Sequence, residues 1–274
     1  PTKFCTTGFL VLHRDKIVFE LHLQCSTRET AFLSASMSKT ILALLYGVAL
    51  SEHRLALNDR IQDILPDFAD SAFAGDTVED LLRMSSSAIL KNSYMAGVAS
   101  DNQAINPLMA PQTDVREYLR GKRDKRLFGR VFDYNGAITA VLGLALRERT
   151  GQTNTAYLSE KIWTPMGAEF PGFWIKNVHG QESVQGHFVA TLRDYARLGY
   201  LVMNQGRING RQVVSSDWIS QMTTLSPGKP QPRGGGSGYG LQIWLPYNAQ
   251  GTSYFAGVNG NYIFVDPKAQ VVIV

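Results

Sequence analysis

Ser36-Met37-Ser38-Lys39 stands directly before Thr40-Ile41-Leu42-Ala43-Leu44-Leu45-Tyr46-Gly47-Val48-Ala49-Leu50, and the reading of that junction decides the fold. The apolar run over 40–52 reads as a buried helix. A serine before the first turn and a lysine three residues on share one helix face, so the ammonium can reach the hydroxyl. The helix N-terminus adds N–H groups and partial positive charge, which favour an alkoxide at Ser36 and an oxyanion beside it. Apolar neighbours desolvate Lys39 and lower its pKa, and a neutral lysine can take the serine proton. Taken alone, the same residues also read as a helix cap with a solvated lysine, and Ser34 and Ser38 compete for the role. The rest of the chain has to decide.

The chain has 274 residues, 44% of them hydrophobic and 18% charged, enough for a large core in one layered domain with an insertion. Its net charge of +4 is too mild to point to nucleic acid or a membrane surface. The longest apolar run, 41–50, is too short to span a bilayer, and no secretory signal is read. A start at Pro1 and a strand-like end at Val271-Val272-Ile273-Val274 lead us to expect truncation at both ends. A periplasmic or secreted location is favoured over a cytoplasmic one. Cys5 and Cys25 flank a hairpin formed by 9–13 and 16–23 with its turn at Arg14-Asp15. That geometry allows a cross-strand disulfide; two free thiols fit equally well.

Residues 77–84 read as a helix capped by Asp76 or Thr77, and 85–113 as a long polar loop of the kind that is often functional. Helices follow at 137–150, closed by Gly151, at 191–204 and at 216–223. Strands are expected at 239–245, 252–256, 262–265 and 271–274. The basic stretch 116–130 reads as solvated surface rather than a nucleic-acid patch. Strands at both ends with helices between them give an α/β (α+β) architecture: one antiparallel sheet formed from both chain ends with a helical insertion. Residues 1–35 and 236–274 form the sheet part of a discontinuous domain; 36–235 form the helical region with the nucleophile helix.

A serine nucleophile needs a second proton-handling group. Tyr134, in Phe132-Asp133-Tyr134-Asn135-Gly136, is one candidate; Ser100-Asp101-Asn102 is the other. The S-D-N reading calls for a later K-T-G, which the sequence lacks, and for a glutamate shortly downstream, which residues 130–140 lack.

The order Ser36-Met37-Ser38-Lys39, Thr77-Val78-Glu79-Asp80-Leu81-Leu82, Tyr134-Asn135-Gly136, Thr191-Leu192-Arg193-Asp194-Tyr195, Gly238-Tyr239-Gly240 and Gly260-Asn261-Tyr262 resembles the class C β-lactamase and penicillin-binding esterase superfamily. It is most similar to the aminohexanoate-dimer hydrolase branch, over about residues 8–274. The resemblance implies a β-lactamase/transpeptidase-like fold and a serine hydrolase. Ser36 would be the acylated nucleophile, Lys39 its proton partner and Tyr134 the general base or acid. The backbone N–H groups of Ser36 and Val258 would form the oxyanion hole. Gly257, Trp174 and Asn259 are expected to touch substrate.

Two departures bear on substrate. Gly136 replaces the asparagine of Y-x-N, and Phe255-Ala256-Gly257 replaces K-T-G, which removes a cation for the carboxylate of penicillins. Carboxylic esters or small linear amides are therefore the expected substrates. The alternatives are a penicillin-recognising β-lactamase or D-alanyl carboxypeptidase, and a non-catalytic ligand sensor, against which Ser36, Lys39 and Tyr134 together argue. His187 reads as a hydrogen-bonded structural histidine. The five histidines are scattered, and no cofactor, metal or nucleic-acid partner is expected.

Overall fold

The computed structural model describes residues 6–93, 98–248 and 251–274. Cys5, and with it any pairing to Cys25, lies outside the described residues; Cys25 is exposed.

A seven-stranded antiparallel sheet is built from both ends of the chain. Its order is Lys16–His22, Gly8–His13, Val271–Ile273, Asn261–Asp266, Ser253–Gly257, Trp244–Pro246 and Ser237–Tyr239. Arg14, in the left-handed region, turns the first hairpin, and a register shift between Val11 and Leu12 kinks it. Alternation sets the faces: Phe255, Ile263, Val265 and Val272 are buried, whereas Tyr262 is half exposed.

Helix Met37–Ser51 is buried on all sides except its last turns, as its unbroken apolar run requires. It packs between strand Ser253–Gly257 and helix Gly136–Thr150. Helix Leu192–Met203, strongly one-sided, covers the central strands of the sheet. A second sheet, Ala31–Leu33, Phe188–Thr191 and Phe173–Trp174, is separate from the seven-stranded one, and its first strand leads straight into helix Met37–Ser51.

Local chemistry explains the helix ends. Thr77 caps Val78–Leu82 in a reciprocal capping box with Asp80. Gly151 ends Gly136–Thr150 in the left-handed conformation, φ 69°. Two sequence expectations need correction. Residues 239–245 are not one strand: the chain turns after Tyr239, with Gln242 at φ 59°, because the Gln242 side chain donates inward to the carbonyls of Leu81 and Leu82, both at 3.1 Å. The 85–113 segment is not wholly irregular: Asp101–Ala104 forms one helical turn, anchored by the buried Asp101.

Candidate active site

The turn Ser34-Ala35-Ser36 carries the chain from strand Ala31–Leu33 into helix Met37–Ser51. Ala35 sits at φ 45°, a conformation that costs a residue with a Cβ and that persists only where the surroundings hold it. Here Ser34 N–H donates to Phe188 O at 2.8 Å, and Phe188 N–H donates to Ser34 Oγ at 3.1 Å. Ser36 occupies the N-cap, but its hydroxyl makes no cap bond. That hydroxyl is instead 2.8 Å from Lys39 Nζ.

Lys39 is 3% exposed. Its Nζ donates to the backbone carbonyl of Gln185 at 2.5 Å and lies 5.0 Å from the centre of the Tyr134 ring. Loss of solvent brings its pKa down to about 7. The ring face favours the cation, but burial outweighs it. In the neutral amine the Ser36 hydroxyl can donate to the Nζ lone pair while an Nζ–H still serves Gln185 O.

Tyr134 is fixed by the start of its helix. Asn135 Oδ1 accepts from Ala137 N–H at 2.9 Å, Gly136 N–H donates to Asn102 Oδ1 at 2.7 Å, and Asn92 Nδ2 donates to Tyr134 O at 2.7 Å. The ring packs against Tyr239 and Trp244, with centroids 5.8 and 5.3 Å away.

Two lobes of one cleft meet at Ser36 and Val258. One lobe, about 390 Å³, carries the side chains of Asn102, Asn106, Gln185, His187 and Asn259 on walls that also include Leu33, Ala35 and Val258 and are mostly apolar. The other, about 310 Å³, is aromatic and is lined by Tyr134, Trp244, Tyr254 and Tyr262. Gly257 stands where strand Ser253–Gly257 passes the nucleophile turn: a Cβ there would lie 2.5 Å from Ser34 O and 2.9 Å from Ala35 Cβ. This close approach brings Val258, 55% exposed, beside Ser36. Asn259, at φ 66°, and the bond from Asn261 Nδ2 to Val258 O at 2.8 Å shape the turn that follows.

The structure thus brings together Ser36, Lys39, Tyr134, Gly257, Val258 and Asn259. Trp174 is a correction. It is 1% exposed and faces inward, its ring on Phe188 at 4.9 Å and its Nε1–H donating to Ser38 Oγ at 2.6 Å. Ser38 Oγ in turn donates to Val184 O at 2.5 Å, so this competing hydroxyl is tied into the core. Trp174 therefore supports the nucleophile helix from beneath and does not meet substrate. Of Ser100-Asp101-Asn102, only Asn102 is among the described residues that line the two lobes. Asp101 is held by Lys122, by Tyr118 at 2.5 Å and by Lys91 N–H at 2.6 Å.

His187 lines the same lobe as Asn102 and Gln185 and shares a 2.7 Å hydrogen bond with Ser183 Oγ through Nδ1. Burial, with the Lys39 cation as a second cause, lowers its pKa to about 4, so it is neutral near pH 7. Among the described residues, no group of three or more His, Cys, Asp or Glu side chains could hold a metal ion, and no helix is long and apolar enough to cross a membrane. Sequence reasoning missed Gln185 and the aromatic wall. Gln185 acts on Lys39 through its backbone carbonyl, which leaves no side-chain signature. Asn102 was visible inside a motif whose other two members lie off the cleft.

A β-lactamase family model matches residues 6–274. The 6-aminohexanoate-dimer hydrolase of Paenarthrobacter ureafaciens is 26% identical over 98% of this chain and 72% of its own length. Among solved structures, a Bacillus anthracis protein provisionally assigned as a 6-aminohexanoate-dimer hydrolase superposes with a TM-score of 0.87 at 24% identity, covering 98% of this chain and 72% of that one. EstCE1, a hydrolase with promiscuous acyltransferase activity, superposes with a TM-score of 0.76 at 17% identity, covering 97% and 87%. At those identities the two superpositions speak for the fold alone. With the family model spanning the whole described sheet and both sides of the cleft, the chain belongs to the β-lactamase family and is a serine hydrolase of that kind.

Proposed function

We propose that this protein hydrolyses carboxylic esters or small linear amides through an acyl-enzyme on Ser36. The observation that carries the reading is the 2.8 Å contact between Ser36 Oγ and a buried Lys39 whose pKa is near 7. Ser36 Oγ attacks the substrate carbonyl carbon as its proton passes to Lys39 Nζ. The resulting oxyanion is held by the N–H groups of Ser36 and Val258. Tyr134, whose ring lies against Lys39, passes a proton to the departing oxygen or nitrogen as the carbon–heteroatom bond breaks. Water then attacks the acyl-enzyme by the reverse proton route, releasing the carboxylic acid and restoring the Ser36 hydroxyl.

The 26% identity to an amide-cleaving hydrolase of 6-aminohexanoate dimers supports the linear-amide half of this reading. The cleft supports the exclusion of penicillins. Among the described lining residues Lys39 is the one cationic side chain, and the strand position of the K-T-G lysine is Phe255, fully buried. A β-lactam carboxylate so loses a charge-assisted hydrogen bond worth about 1.5–3 kcal/mol. Short-chain p-nitrophenyl esters should therefore show a kcat/KM at least tenfold above nitrocefin or benzylpenicillin, a ratio set by that bond. A higher kcat/KM for any penicillin or cephalosporin would overturn the substrate assignment.

A further inference from the structure

Leu127 and Phe128 are two adjacent large apolar side chains left in water, 82% and 92% exposed. They form the tip of the loop between Arg126 and Arg130, where Gly129, at φ 68°, lets the chain turn back. Both feet of this loop are pinned. Arg126 N–H donates to Ser87 O at 2.8 Å; its guanidinium donates to Ala88 O at 2.6 Å and pairs with Asp133 at 3.1 Å. Arg130 pairs with the fully buried Asp76 at 2.6 Å and with Asp80 at 3.1 Å. These anchors hold the tip away from the core, so Leu127 and Phe128 have no apolar surface of their own chain to fold onto. Ile89, half exposed, stands beside the loop, its N–H donating to Asp124 O at 2.8 Å. Clustered apolar side chains held outward by built supports mark a contact surface, unlike single ones scattered over a protein.

The charge around the tip is one-sided. Residues 116–131 hold seven Lys and Arg against Glu117 and Asp124, more than the whole chain's net +4, so the rest of the chain is close to neutral. Arg116, Lys122, Arg126 and Arg130 are paired with carboxylates of the fold. Arg123 and Lys125 are exposed and differ. Arg123 donates to the backbone carbonyls of Arg120 and Lys122, and among the described residues neither cation pairs with a carboxylate.

An apolar tip with free cations close behind it matches the surface of an anionic bilayer. The apolar groups enter the acyl boundary while the cations stay with the headgroup phosphates. A second copy of this chain is a poorer match, because a two-fold contact through the tip sets these cations against their own kind. Single-stranded nucleic acid needs rings spaced along the cations for its bases, and Phe128 is the one exposed ring in 116–131. We propose that the 126–130 loop docks this protein on anionic phospholipid bilayers, with Leu127 and Phe128 in the interface and Arg123 and Lys125 against lipid phosphates. The loop runs on through Phe132, whose ring meets Tyr239 at 5.2 Å, to Tyr134, so docking sets the bilayer a short stretch of chain from the aromatic lobe. The inference stands apart from the ester or amide reading.

The test is sedimentation of the protein with vesicles of phosphatidylcholine alone and of phosphatidylcholine mixed equally with phosphatidylglycerol. The unmodified protein should partition onto the mixed vesicles in about 0.1 M salt, and about tenfold or more weakly onto phosphatidylcholine alone or in about 1 M salt. Leu127→Ser combined with Phe128→Ser should lower partitioning by about tenfold or more, since two large apolar groups no longer leave water. Its thermal midpoint should hold, because the tip touches no core. Arg123→Gln combined with Lys125→Gln should remove the preference for the mixed vesicles. In Phe128→Trp, emission should shift to the blue on vesicles and be quenched by lipids brominated on their acyl chains, beyond any quenching of the unmodified protein; this decides the matter if the serine pair does not fold. No partitioning of the unmodified protein onto mixed vesicles, partitioning untouched by the serine pair, or an added tryptophan that bromine does not quench would overturn the proposal. A concentration-dependent dimer in light scattering that the serine pair abolishes would assign the tip to a second copy and overturn it as well.

Discussion

At the scale of single residues, the proposed chemistry turns on one lysine that the fold keeps from water. Folded Lys39 titrates at about 7 against an ordinary value of 10.5. Below pH 7 it is charged in both folded and unfolded chains, and its burial costs stability in full. Between about 7 and 10.5 the unfolded chain binds the extra proton, so this cost shrinks as pH rises. Activity follows the same group: kcat/KM on a simple ester should rise through an apparent pKa near 7 and level off above it. His187 titrates near 4 and is already neutral there, so His187→Gln should leave that limb in place; a limb that moves with His187 would assign the base wrongly. Tyr134→Phe keeps the ring packed on Tyr239 and Trp244 and removes only the phenol oxygen. Its thermal midpoint should stay close to the original, while kcat drops on the order of a hundredfold, the range for a proton-transfer group. A loss below threefold would take Tyr134 out of the proton path. The contact between Ser36 and Lys39 was legible because the two side chains stand three residues apart at the start of an apolar helix. Gln185 was not, because its hold on Lys39 is a main-chain carbonyl brought from 146 positions away.

Among the elements, the strand end at Gly257 sets how near Val258, the proposed oxyanion partner, comes to Ser36. Gly257→Ala would push a methyl group to within 2.5 Å of Ser34 O, and both contacts are backbone or Cβ atoms that cannot swing aside. The strand must retreat from the Ser34-Ala35-Ser36 turn. The expected result is a loss of kcat of tenfold or more with a lowered melting temperature, while binding of a non-reactive substrate analogue changes less. Wild-type kcat in Gly257→Ala would mean that this strand has no part in the oxyanion site. Two helices were readable from their ends, Thr77 opening one and Gly151 closing another, whereas Asn154–Leu158, capped by Thr153, is too short to show an apolar period. The break in 239–245 was not readable either. It is dictated by Gln242 reaching across to Leu81 and Leu82, a contact with no local signal in an otherwise strand-like run. Trp174 misled for a related reason. An indole reads equally well as a cleft wall or a buried support, and only the hydrogen bond to Ser38 decides.

Across the whole molecule, the two chain ends meet in one sheet, and the central segment hangs the nucleophile helix and the Tyr134 helix against it. Strand-like residues at both ends and helices between them make this legible in the sequence. The order of the strands was not visible, since Val271–Ile273 pairs with both Gly8–His13 and Asn261–Asp266, and only the folded register shows it. Joining the ends in this way lets residues 34–39, 102, 134, 185 and 257–259 converge on one cleft. The central claim is that chemistry at that cleft begins at Ser36. Its most direct test is to trap the protein with a fluorophosphonate or a slowly released ester and map the added mass by peptide mass spectrometry. The account predicts one added acyl or phosphonyl group on the peptide containing Ser36, absent in Ser36→Ala. Mass found on Ser34, Ser38 or Ser100, or labelling that persists in Ser36→Ala, would contradict it.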